Sequence, residues 1–185
     1  MDVEPRRQAI ERAYRDHAGD VYRIAYAIVR DPDAAMDVTQ ETFARAFERW
    51  HQYDANRPLR AWLHGIGAHA SLDALRRGRV RAAGRSGPVA EIAMAAGGQD
   101  SDPAVTVPGR QVIEAALGTL KPAARAAVVL RHYYGYDYEQ IAALLGTRPG
   151  TVGSLLSRSH AVLRERLSAA DDAAPNVAAK RRASR

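Results

Sequence analysis

Apolar residues recur along this chain at three- and four-residue spacing and nowhere alternate, so the pattern predicts helices and no strands. In "DVYRIAYAIVR", Val21, Ile24, Ala25, Ile28 and Val29 form one stripe of a helix expected from about Gln8. The phase breaks at "DPDAA". There Asp31 can cap free N–H groups, Pro32 suits a first helical position, and Asp33 complements the helix dipole. The next helix is expected to reach about Trp50 with Met36, Phe43 and Phe47 facing inward. "HQYDANRP" interrupts it, and a third helix from about Leu59 should bury Trp62, Leu63, Ile66 and Leu75.

Periodicity fades between Gly84 and Pro108, where Gly, Pro and small residues dominate, as in a flexible linker. Within it "PVAEIAMAA" is long enough for a turn or two of helix and too short to fold alone. A second helical block follows, with Val112, Ile113, Ala116, Leu117 and Leu120 on one stripe. Pro122 opens a helix through "AARAAVVLRHYY" that stops at Gly135. Asp137 and Gln140 have capping-box spacing immediately before Ile141, Leu144 and Leu145. Gly146 suits a left-handed helix end and Pro149 a restart; Val152, Leu155 or Leu156, Val162 and Leu163 complete the core. The expected architecture is all-α: a helical bundle over 8–83, a linker over 84–108 and a helix-turn-helix domain over 109–168. A basic tail expected to be disordered, 169–185, closes the chain.

Composition narrows the function. The 185 residues contain no cysteine, which excludes disulfides and thiolate metal sites and suits a reducing cytoplasm. A net charge of +6 makes a polyanionic partner plausible. No apolar run has the length of a membrane span, and the charged opening "MDVEPRRQAIERAYRD" is not a cleavable signal. Catalysis has little to stand on: His64, His69 and Asp73 share a helix but not cleanly a face. No phosphate-cradling glycine loop or nucleophile motif is present, so neither an enzyme, a metal site nor a cofactor is expected.

Two stretches carry a resemblance. "VYRIAYAIVRDPDAAMDVTQETFARAF", followed by "LRAWLHGIGAHASLDALRR", is similar to region two of the extracytoplasmic-function sigma factors, bacterial transcription initiation factors of the sigma-70 family. "LKPAARAAVVLRHYYGYDYEQIAALLGTRPGTVGSLLSRSHAVLRERL" resembles their region four. Together the matches run from about Gln8 to Leu167 in the family's order.

The resemblance implies that Asp37, Gln40 and Glu41 grip the β′ clamp helices of core RNA polymerase. It also implies a contact with the β flap, promoter DNA as second partner, and room for an anti-sigma factor. Asp37 and Glu41 are one helical turn apart, so their carboxylates share a face; the bland alternative is a solvated acidic surface. The loop Tyr53–Pro58 falls where the family captures a flipped base of the downstream (−10) element. Tyr53 offers a stacking surface and Asn56 a hydrogen-bonding edge, although a plain connecting turn would look the same. Trp62 reads better as core. Arg57, Arg60, His64, His69, Arg76 and Arg77 would follow DNA along the strand-opening helix, with Arg79 and Arg81 adding charge. In region four, Arg131, Thr151, Ser154, Ser157 and Arg158 are the candidates for reading the upstream (−35) element.

The chain also departs from the family. His64-Gly65 and Ala68-His69 replace basic and polar pairs of the opening helix, and Gly65 and Gly67 each cost it roughly 1 kcal/mol relative to alanine. Gly153 and Leu155 stand where Lys and Arg are usual, and Arg148 where a small capping residue is. A recognition helix over Gly150 to His160, with Arg158 as its single arginine, should hold DNA weakly alone and gain affinity from a tethered partner domain and polymerase. The 25-residue linker spans roughly 28 Å as a free coil and about 80 Å extended. Family promoters separate the two elements by on the order of 55 Å at 3.4 Å per base pair, so the linker must be held open. A helix-turn-helix regulator acting without polymerase remains open as an alternative, although no dimerisation helix is evident. So does a sigma-like decoy with weakened promoter binding.

Overall fold

The structure, a computed structural model, describes residues 3–83 and 110–173, and every regular element among them is helical. The segment 84–109, which includes the expected linker, and the tail from 174 onward lie outside the described residues, as do the side chains of Arg79 and Arg81.

Three long helices form the first bundle: α1 (Val3–Val29), α2 (Pro32–Glu48) and α3 (Leu59–Ala83). The α1–α2 corner forms as its sequence dictates. Arg30 adopts a left-handed φ of 61°, and Asp31 caps α2 by accepting from the Ala34 amide at 2.7 Å with Pro32 in the first turn. A single 3-10 turn, Trp50–Gln52, follows α2. α1 is the central helix: Ala13 and Val21 meet Phe43, Ala46 and Leu63, and Ala25 meets Ala35, Val38 and Ala70.

Met36 does not face inward; it is 47% exposed. Thr39 and Thr42 take the inward places instead, their hydroxyls satisfied by donation to the Ala35 and Val38 carbonyls at 2.8 and 2.7 Å. A hydrophobicity pattern cannot see that bond. Phe47 is half-buried beneath the Arg6 guanidinium, 4.1 Å from its ring centroid. Trp62, Ile66 and Leu75 are likewise half-buried, and Leu63 alone of the expected third-helix core is fully enclosed.

The second block holds α4 (Arg110–Gly118), α5 (Pro122–His132), α6 (Tyr138–Leu145) and α7 (Pro149–Ala173). Asp137 and Gln140 form the complete capping box, and Gly146 closes α6 at φ 61°, a conformation that favours glycine. Leu130, Ile141, Val152 and Leu156 make its core; Leu155 is only half-buried. Val112 and Ile113 were expected inside but are 39% and 53% exposed.

The two blocks do not hang apart on a tether. Ile24, Ile28 and Ala68 of the first belong to the same buried cluster as Leu120, Leu130, Ile141 and Leu156 of the second. Gly65 explains itself here. A β-carbon added to it would lie 3.2 Å from Leu144 Cδ2, so a side chain there would push α6 off α3. Gly67 serves the same end inside the first bundle, where its missing β-carbon would meet Val21 Cγ1 at 3.2 Å. The helix-propensity cost of both glycines is thus exchanged for close packing.

Candidate nucleic-acid and polymerase interfaces

Asp37 and Gln40 stand exposed on α2, on the side away from its buried stripe. Glu41 is half-buried and already engaged, accepting from Arg45 at 2.6 Å and from Arg77 at 3.1 Å. The three expected polymerase-contact residues therefore form one surface, of which Asp37 and Gln40 are the free edge.

The loop before α3 is ordered by a residue the sequence analysis passed over. Asp54 accepts from both the Asn56 amide and its side-chain Nδ2 at 2.9 Å, so Asn56 is held with its remaining edge outward. The Tyr53 hydroxyl donates to the Arg57 carbonyl at 2.8 Å. Its ring sits 5.3 Å from Trp50 and 5.1 Å from Trp62, so part of its stacking surface is committed to its neighbours. Arg57 and Arg60 are exposed beside it, Arg57 within 3.8 Å of Asp54. Arg76 pairs with Asp73 at 2.9 Å and Arg77 with Glu41, exposed pairs weak enough to give way to a phosphate. A cleft of about 1000 Å³ runs from this loop to Tyr134, Tyr136 and Leu144 of the second block.

His64 is not available to DNA in this arrangement. It is fully buried between the blocks, its Nδ1 3.0 Å from the Tyr136 hydroxyl and its Nε2 without a protein partner. Burial drives its pKa down to about 4; Asp20 opposes that shift, and Arg60 and His17 reinforce it. His69 is exposed and bonded to the Gly65 carbonyl at 2.9 Å, with its Nε2 edge against Gly146. Nothing in the hydrophobic pattern marked His64 as internal, because its partners lie 70 residues and more downstream.

The junction has further polar bonds that sequence reasoning missed. Arg125, 6% exposed, donates to the Ile28 carbonyl at 2.6 Å, and Arg30 to the Glu114 carbonyl at 2.6 Å. Both guanidiniums bind backbone oxygens across the blocks, Arg125 at the C-terminal turn of α1. Burial, and then the nearby Arg30 charge, lower the Arg125 pKa to about 10, still leaving it cationic at neutral pH. Tyr134 donates to the Asp20 carbonyl at 3.1 Å, and burial raises the pKa of both Tyr134 and Tyr136.

On α7, Thr151, Ser154, Ser157 and Arg158 are all exposed, and the last three line a shallow groove with Gly150 and Gly153. Ser154 donates to the Gly150 carbonyl at 3.0 Å, and Arg158 donates through Nε to the Ser154 carbonyl at 3.1 Å, which leaves its terminal nitrogens free. Arg131 is placed differently. It donates to the Tyr136 carbonyl at 3.0 Å and lies over the Tyr138 ring at 5.4 Å, bracing the entry to the helix-turn-helix.

Comparison with known proteins agrees with this layout. The family model for sigma-70 region 2 matches residues 13–81 and that for sigma-70 region 4 matches residues 110–161. The chain is 37% identical over 158 residues to the ECF RNA polymerase sigma factor SigE of Mycolicibacterium smegmatis, covering 83% of this chain but 60% of that protein. It is 33% identical to the RNA polymerase sigma factor CarQ of Myxococcus xanthus, covering 86% of this chain and 89% of that one. Among solved structures, the sigma factor RpoE of Bartonella quintana in complex with the anti-sigma factor NepR has a TM-score of 0.68 at 24% identity, over 87% of this chain and 98% of that one. CnrH in complex with the cytosolic domain of CnrY has a TM-score of 0.60 at 23% identity, over 88% and 90%. At that identity both show a shared fold.

Proposed function

Because the chain belongs to the extracytoplasmic-function branch of the sigma-70 family, we propose that it joins core RNA polymerase through α2 and directs initiation at promoters read by α7 and opened by α3. The observation that carries this reading is the pairing, in one chain, of a free acidic face on α2 with a solvent-facing polar groove on α7. Asp37 and Gln40, with Glu41 behind them, meet the clamp helices of polymerase. Tyr53 and the edge of Asn56 receive an unstacked base, and Arg57, Arg60, Arg76 and Arg77 follow the phosphates. A site that accepts an unstacked base stabilises the open strand over the duplex, so binding energy performs the melting and no catalytic residue is needed.

In the upstream element, Arg158 is the side chain with free donors suited to a guanine edge, while Thr151, Ser154 and Ser157 suit phosphates. Site of action is the cytoplasm, where polymerase is found; among the described residues no helix is long and apolar enough to cross a membrane. An anti-sigma factor is a fitting partner, as it is for RpoE and NepR. A decoy reading draws on the uncharged Gly153 and Leu155. Transcription reconstituted with core polymerase on genomic fragments decides between the two: chain-dependent start sites support the initiation factor. Polymerase binding without any start site supports the decoy, and DNA binding without polymerase association supports a free-standing regulator.

A further inference from the structure

We propose that His132 and His160 form a two-histidine site for a divalent transition cation, zinc by its geometry, on the flank of the recognition helix α7. The two Nε2 atoms face each other at 2.9 Å and the ring centroids stand 5.1 Å apart, with both side chains exposed. His132 ends α5 and His160 lies within α7, so the pair joins two helices of the second domain. Each imidazole follows a buried residue by one helical turn: Val128 precedes His132 and Leu156 precedes His160. Packing beneath the pair thus fixes both backbones and leaves the rings to adjust.

A hydrogen bond between the rings accounts for the 2.9 Å spacing in the metal-free chain. The centroid spacing is what admits a cation. Tetrahedral zinc, with bonds of about 2.0–2.1 Å, holds two imidazole nitrogens about 3.3 Å apart and their ring centroids about 5.2 Å apart. The centroids already stand near that separation, so tilting the rings to part the nitrogens by about 0.4 Å completes the rearrangement. Square-planar copper, with cis bonds at about 90°, needs the centroids near about 4.5 Å and fits less well. Among the described residues no third His, Asp or Glu joins the pair, so water fills the remaining positions and affinity falls short of a structural zinc site. Such a cation changes what α7 presents to DNA, a consequence that rests on α7 being the DNA-reading helix. His160 lies one turn beyond Ser157, which lines the shallow groove in which Arg158 is the single cationic side chain. A divalent charge there sits within about one Debye length of the groove and adds to that lone arginine.

Titration of the full-length protein with zinc chloride tests the site. Zinc should shift the ring proton resonances of His132 and His160 and raise the melting temperature, since it binds the folded pair alone. Its affinity should fall by about tenfold or more in His132→Gln and in His160→Gln. Both side chains are exposed, so the metal-free variants should match wild type by circular dichroism, and His51→Gln, at another exposed histidine, should leave zinc affinity unchanged. Magnesium, which prefers oxygen ligands, should produce neither the ring shifts nor the stabilisation. Zinc should also raise affinity for a random-sequence duplex pool by about threefold or more in wild type and not in His160→Gln. Equal zinc affinity in wild type and both variants, or ring shifts confined to other histidines, overturns the site. An occupied site with measurable but unchanged duplex affinity overturns its effect on DNA. Absence of duplex binding by every form, with the site occupied, counts instead against α7 as the DNA-reading helix.

Discussion

The Tyr136 hydroxyl of the second domain reaches His64 Nδ1 of the first at 3.0 Å, and this contact turns a candidate DNA-facing histidine into an interior residue. Burial disfavours the imidazolium there and lowers its pKa to about 4, so the ring is neutral at physiological pH.

Acidification should therefore open the chain. Burial between the domains lowers the His64 pKa from the usual 6.5 to about 4, and separating the domains would remove the partners that bury it. The closed state is favoured fully above pH 6.5, and that advantage is lost progressively as pH falls from 6.5 toward 4. The groups around the ring are Asp20 and His17 on α1, Arg60 on α3, and Tyr134 and Tyr136 from the corner. Inter-domain energy transfer between labelled positions should report opening over that range, and His64→Gln should flatten it while His17→Gln leaves it. A flat profile in the wild type would refute the assignment.

Gly153→Lys should strengthen DNA binding by the helix-turn-helix. A β-carbon at 153 would meet only the Tyr138 ring, at 3.7 Å, which is ordinary contact, so the substitution adds charge without strain. One more phosphate contact should steepen the log–log salt dependence by about one. Arg158→Ala should act differently, costing about 1–3 kcal/mol and relaxing preference at one base position. Titrations against matched and single-mismatch duplexes at several salt concentrations separate the two effects.

Asp37→Lys should weaken polymerase association by roughly tenfold or more while the melting temperature stays put, because the side chain is exposed. Glu41→Lys should weaken association and also lower stability, since it breaks the bonds to Arg45 and Arg77. Equal loss of stability in both variants would place Asp37 within the fold rather than on an interface.

Asp54→Ala should loosen the base-capture loop. Freeing the Asn56 backbone and side chain removes hydrogen bonds with a net value of about 0.5–1.5 kcal/mol each. Affinity for a pre-melted promoter should fall, and affinity of α7 for its duplex should not. Unchanged binding to the pre-melted template would show that the loop needs no preorganisation.

Local chemistry was legible in the sequence wherever it acts within a few residues. The Asp31 cap, the Asp137–Gln140 box, the Gly146 helix end and the Val21–Ile28 stripe all form as their spacing dictates. So does the outward set Thr151, Ser154, Ser157 and Arg158, whose exposure follows from the burial of Val152 and Leu156. Contacts between the blocks were not legible. Gly65 reads as a flaw in a helix until Leu144 fills its space, and Arg125 reads as a surface charge until the α1 terminus receives it. Such pairings depend on tertiary geometry, which periodicity does not encode. Met36 failed for a smaller reason: threonines whose hydroxyls bond their own helix can be buried at little cost.

Arg125 and Arg30 bind the two sides of one corner, the junction from which α2 departs with Asp37 on its second turn. Separating the domains removes the Arg125 donor from the end of α1 and the Glu114 acceptor from Arg30. If polymerase favours separated domains, polymerase binding and domain docking are linked equilibria, and linkage is reciprocal. By whatever factor polymerase shifts the chain toward the open form, docking of the second domain must reduce affinity for polymerase by the same factor. On that linkage, a second domain that holds on more tightly gives a factor that competes less well for polymerase, and the contacts at Ile28 and Glu114, remote from the α2 face, should tune that competition.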